Sequence, residues 1–129
     1  MKSDAFKAAA EAKDFNRAES LFAEDATFRS PVVFKPYEGR EQIKLLLGAV
    51  VQVFEDFRYL EQVETGDAAV LFFEATVGDR QVQGVDILKF GEGDRIVEMT
   101  VMLRPMSGMH AVAERMKQLL EAAGAAAPS

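Results

Sequence analysis

Residues 82–105, "VQGVDILKFGEGDRIVEMTVMLRP", decide the fold. In a β-strand every second residue faces the same way. Over this first segment Val82, Gly84, Asp86, Leu88 and Phe90 share one face, while Gln81, Gln83, Val85, Ile87 and Lys89 share the other. "GEGD", residues 91–94, supplies a turn. "RIVEMTVMLRP" then reads as a second strand with Val97, Met99, Val101 and Leu103 on one face, stopped by Pro105. The pair is a hairpin whose more apolar face carries an acid. A carboxylate buried without a partner costs several kcal/mol or stays protonated. Asp86 is therefore a surface residue on a misread strand, a satisfied structural acid, or part of a site.

Working outward, "DFRYLEQVET" alternates Phe57, Tyr59, Glu61 and Val63, and "DAAVLFFEATV" is a longer, more apolar strand. Gly78-Asp79 or Asp79-Arg80 turns the latter into the hairpin. Before them the period is helical. In "REQIKLLLGAVVQVF", Ile43, Leu46, Leu47, Val50, Val51 and Phe54 recur at three and four. Gly48 weakens that helix by about 1 kcal/mol relative to Ala, which suggests close packing at that point. Residues 3–13 read as a helix with Ser3 or Asp4 as N-cap, and Asp14 caps a short second helix to about Ala23 through Ala18, Leu21 and Phe22. "EDATFRSP" is a short strand stopped by Pro31, and "VVFKPYEG" a second short extended piece. Ser107 is expected to cap a last helix with Met109, Val112, Ala113, Met116, Leu119, Leu120 and Ala123 as its stripe, closed by Gly124. "AAAPS", residues 125–129, reads as a flexible tail.

The order is two helices, two short strands, a helix, four antiparallel strands and a helix, an α+β arrangement over residues 1–124 as one domain. Helices must cover one apolar face of such a meander. A strongly bent sheet against the long third helix would make a cone able to hold a cavity. The chain of 129 residues carries a net charge of −6 and shows no basic stripe, so neither nucleic acid nor an anionic membrane is an expected partner. It has no cysteine, which removes disulfide and thiolate chemistry. No apolar stretch resembles a signal peptide or a membrane span, and a cytoplasmic location is expected.

The segments "SLFAEDATFRSP", "YEGREQI" and "VDILKFGEGDRIVEMTVMLRP", in this order and spacing, resemble the nuclear transport factor 2-like superfamily. The likeness is to its bacterial branch of ketosteroid isomerase and SnoaL-type polyketide cyclases. It implies a conical α+β fold, a pocket for a small hydrophobic molecule, and a homodimer. In the isomerase an Asp base works with an oxyanion hole made of a Tyr and a protonated Asp. By the resemblance the protonated Asp falls on Asp86. The base falls on Ser30, the oxyanion Tyr on Phe6, and a supporting Tyr on Leu47. Proton abstraction beside a carbonyl needs a base, and Ser30 is not one near neutral pH, so steroid isomerisation itself is not expected.

The candidate catalytic residue is Asp86, with Phe6, Ser30, Tyr37, Leu46, Leu47 and Met99 as substrate-binding residues. As a structural acid Asp86 would bond Ser30, Tyr37 or Arg104. Arg104 otherwise reads as a solvated strand end and Glu74 as an outer-face acid, while Tyr37 and Tyr59 each carry a hydroxyl that either reaches the pocket or sits at its rim in water. His110, the single histidine, lies on a solvated helix flank beside Glu114 and Lys117, and one His makes no His-rich metal site. The functional expectation is a binder of a small hydrophobic or aromatic molecule. Acid–base chemistry at Asp86 of isomerase, cyclase or hydratase type would need no cofactor. The alternative is a non-catalytic homodimeric interaction or ligand-carrier module, since Val85 and Ile87 place apolar side chains on the outer face.

Overall fold

A computed structural model of the chain describes residues 1–124, and the expected tail at 125–129 lies outside the described residues. The helices are α1 (Asp4–Glu11), α2 (Phe15–Ser20), α3 (Arg40–Val53) and α4 (Met106–Ala122). The strands are β1 (Phe22–Arg29), β2 (Tyr37–Glu38), β3 (Glu55–Thr65), β4 (Ala68–Val77), β5 (Arg80–Phe90) and β6 (Ile96–Arg104). They form one six-stranded sheet in the order β2-β1-β6-β5-β4-β3. All neighbours run antiparallel except β1 and β6, which are parallel. The α+β architecture expected from the sequence is the one observed. Among the described residues no helix is long and apolar enough to cross a membrane.

The apolar stripe of α3 meets the inner face of the sheet. Ile43, Leu46, Leu47, Ala49 and Val53 are buried there with Phe28, Leu71, Phe73, Leu88 and Met99. Apart from Ala49, each such side chain fully withdrawn from water contributes about 1.5–3 kcal/mol. Gly48 is not required by packing: a β-carbon there would meet the Phe15 ring at 3.8 Å, an ordinary contact.

Several local expectations are corrected. Ser3 stands at the N-cap of α1, but its hydroxyl donates to Glu64 on β3 instead of closing the helix. Asp14 does cap α2, accepting from the Arg17 N–H at 3.1 Å. That helix ends at Ser20 rather than near Ala23. The Leu21 carbonyl is taken by the Ile96 N–H at 2.9 Å, and Phe22 enters β1. α4 starts at Met106 directly after Pro105, with no side-chain cap from Ser107. Proline suits the start of a helix because its missing N–H has no intrahelical partner there.

Register shifts interrupt the β1–β6 pairing once, the β3–β4 pairing twice and the β5–β6 pairing once, and those at Leu60 and Val97 show how they change which residues face inward. Tyr59 pairs with Phe73 and Glu61 with Phe72, so Leu60 is an extra residue in β3. Tyr59 therefore faces inward while Glu61 and Val63 turn outward, which breaks the simple alternation read from the sequence. In β6, Ile96 pairs with Phe90 and Glu98 with Lys89, leaving Val97 extra. Ile96, Met99 and Val101 are buried and Val97 is exposed. Bulges of this kind bend and twist a strand, which a sheet closing around a helix needs.

Candidate functional site

Between α3 and the inner face lies a cavity of about 100 Å³, larger than one water requires. α1 contributes Phe6, β1 contributes Phe28, α3 contributes Leu46 and Leu47, and α4 contributes Val112 and Met116. The sheet supplies Phe57, Tyr59, Phe73, Asp86, Met99 and Val101. Three lining residues are exposed, Lys13, Asp14 and Val32, and they mark the opening. Polar side chains in the walls are few, and two of them meet at the buried end.

Those two are Tyr59 and Asp86. The Tyr59 hydroxyl donates to Asp86 Oδ2 at 2.5 Å, and Asp86 is only 4% exposed. The contact is built from the strands upward. Gly84 leaves bare backbone on the inner face of β5. A β-carbon there would lie 2.5 Å from Phe73 Cζ and 2.6 Å from the Met102 carbonyl oxygen. The Phe73 ring occupies that space and stands edge-on to Tyr59, with centroids 6.1 Å apart. Phe57 also meets Tyr59 edge-on, at 4.9 Å and 89°, and packs on Phe73 at 4.8 Å, so the three rings form one cluster. Edge-to-face contacts of this kind hold an aromatic ring in place. The ring is so fixed that its hydroxyl reaches the one acid on β5's inner face.

Burial drives the Asp86 carboxyl upward, and the hydrogen bond from Tyr59 pulls it partly back, leaving it at about 7. Burial also pushes the Tyr59 hydroxyl well above its ordinary range, with the Asp86 charge, their hydrogen bond and Glu11 adding to the effect. Tyr59 thus stays a protonated donor while Asp86 is divided between acid and carboxylate near neutrality. That is the condition for a general acid or base.

Among the residues singled out from the sequence, Phe6, Ser30, Leu46, Leu47, Asp86 and Met99 all line the cavity. Tyr37 does not, and is corrected: it pairs with Phe28 on the two-residue edge strand β2, outside the walls. Ser30 lines the cavity, but its hydroxyl is engaged locally, accepting from the Val32 N–H at 3.0 Å. The partner of Asp86 is neither Ser30, Tyr37 nor Arg104. It is Tyr59, whose hydroxyl takes the pocket-reaching of its two expected placements and not the one in water. Arg104 donates instead to Gln83 Oε1 at 2.7 Å, and Glu74 accepts from Arg58 and Gln83 on the outer face. The aromatic wall of Phe57 and Phe73 is a further part of the site that sequence reasoning misses, although Phe57 and Tyr59 at a spacing of two are a legible signal. His110 is exposed on α4 and outside the cavity. Among the described residues no three His, Cys, Asp or Glu side chains cluster as metal ligands.

No curated protein matches the chain. A solved steroid delta-isomerase from Pseudomonas aeruginosa is 40% identical over 92% of this chain and 88% of that one, with a TM-score of 0.86. An uncharacterised protein with a cystatin-like fold from Silicibacter pomeroyi is 29% identical over 93% of this chain and 85% of that one, with a TM-score of 0.89. A hypothetical protein of ketosteroid isomerase-like fold from Catenulispora acidiphila was solved in complex with trimethylamine. It is 19% identical over 83% of this chain and 87% of that one, with a TM-score of 0.65, and shares the fold alone. The SnoaL-like domain model matches residues 4–99. On an NTF2-like fold of this kind, and with that match, the chain belongs to the SnoaL-like domain family.

Proposed function

We propose that the cavity binds a small, largely apolar or aromatic molecule through one oxygen that meets Asp86. The observation that carries this is the single buried polar pair, Tyr59 and Asp86, at the end of an otherwise greasy chamber. Apolar walls supply affinity, and one placed polar group orients the ligand. Where turnover accompanies binding, the proton passes through Asp86, giving cofactor-free isomerisation, cyclisation or hydration. The similar Pseudomonas protein bears the name steroid delta-isomerase. By the resemblance drawn from the sequence, that chemistry would need a base where Ser30 stands, so an apolar carbonyl or phenol as ligand fits better than the isomerase's proton transfer.

Calorimetric titration with naphthol and naphthalene tests the reading. The hydroxyl compound should bind about tenfold tighter or more, and Asp86→Ala should erase the difference. Failure of both compounds to bind would sink the cavity as a ligand site. A preference that survives in Asp86→Ala would sink Asp86 as the contact.

A second, compatible reading concerns the outer face. Pairing across the strands sets Val63 beside Val70 and Ile87, and Phe72 beside Val85 and Met102. Val63 is 60% and Met102 56% exposed. Such a contiguous apolar patch fits a second copy of the chain. Sedimentation at micromolar concentration should give a dimer that Val85→Glu converts to monomer; a monomeric wild type removes this reading.

A further inference from the structure

Resting on the cavity reading above, we propose that the ligand is an amphipathic acid: its apolar body fills the chamber and its anionic group emerges at the mouth, where Lys13 holds it.

The polar side chains of the walls are Lys13, Asp14, Ser30, Tyr59 and Asp86. Four are already engaged. Tyr59 and Asp86 bond each other, the Ser30 hydroxyl accepts from Val32, and the Asp14 carboxylate caps α2 through the Arg17 N–H. Lys13 is the only cation in the lining, and its ammonium has no hydrogen-bond or ion-pair partner among the described residues. Lys13 is thus the one unpartnered cation at the mouth, next to an Asp14 carboxylate already turned to the α2 N-terminus.

The backbone adds an independent observation. Lys13 has φ of +57°. It occupies the left-handed position that reverses the chain after α1: its N–H donates to the Ala10 carbonyl at 3.1 Å, and the Asp14 N–H donates to Ala9 at 2.9 Å. Glycine is the usual residue there because a β-carbon is strained. The same chain ends α4 with glycine in that conformation, Gly124 at φ +78°, where no cavity adjoins. At the mouth it carries a lysine instead. Asp56 and Asp94 also hold positive φ, +52° and +56°, outside the cavity walls; aspartate tolerates that region far better than lysine does, so Lys13 is the strained side chain kept beside the cavity.

An acid with a hydroxyl or carbonyl at its far end matches both poles, with Asp86 at the buried end and Lys13 at the lip. Calorimetric titration of the intact protein with para-hydroxyphenylbutanoate and its primary amide tests this. At low salt the acid should bind about two- to fivefold tighter, the size expected of an exposed ion pair. Added salt should shrink the preference. Lys13→Gln should bring the acid down to the amide's affinity. Lys13→Gly should do the same while raising Tm by relieving the strain, so loss of fold is not mistaken for loss of contact. Equal binding of acid and amide by the wild type, or a preference that persists in both variants, overturns the inference and leaves the cavity reading standing. No binding of either probe overturns both.

Discussion

Adjacent residues on β3 start two polar networks with opposite settings. Tyr59 points inward and bonds Asp86 in the core. Arg58 points outward and bonds Glu74 at 2.5 Å, with Gln83 and Arg104 continuing the chain of contacts. The distances are alike, but Arg58 is 55% exposed and Asp86 nearly inaccessible. In water, charge attraction is offset by hydration and side-chain entropy, so the outer pair contributes little. In the core, burial disfavours the charged carboxylate, so the inner pair governs a proton equilibrium. Similar geometry thus yields a weak surface contact on one face and a chemical group on the other.

The sharpest way to break this contrast is pH. The Asp86 carboxyl titrates at about 7 in the folded protein against a reference of 3.8. Between those values the native state holds more protons than the unfolded chain. Stability is therefore fully present below the lower value and falls as pH rises through the upper one, by a total on the order of 4 kcal/mol. Urea unfolding from about pH 4 to about pH 8 should show this decline in the wild type and lack it in Asp86→Asn. Parallel curves for the two proteins would mean that Asp86 is not desolvated.

Smaller effects sharpen the comparison. Tyr59→Phe should cost about 1–3 kcal/mol and move the Asp86 carboxyl further above 7, because it removes the bond that lowers it. The carboxyl-carbon shift in an NMR titration reads this directly. Glu74→Gln, on the outer face, should cost less than about 1 kcal/mol in the same denaturation assay. Equal costs for the two variants would erase the distinction between the faces.

Much of the cavity is legible in the sequence. Phe6, Ser30, Leu46, Leu47, Asp86 and Met99 follow from helical or strand periodicity together with the family likeness. Periodicity misses Tyr59 because the partner lies 27 residues from Asp86, on a strand not adjacent to β5. It misplaces Tyr37 because only the sheet order shows that β2 is the edge strand, one strand beyond the Phe28 that lines the chamber.

The sequence by itself determined the elements, the inner face of α3 and the side of β5 on which Asp86 stands, since these depend on spacings of two, three and four along one chain. Only the tertiary structure decided the extra residues at Leu60 and Val97, the meeting of Tyr59 with Asp86, and the placing of Lys13 at the mouth. Those depend on long-range pairing and close packing, which place side chains distant in sequence at a common point and withdraw water from it.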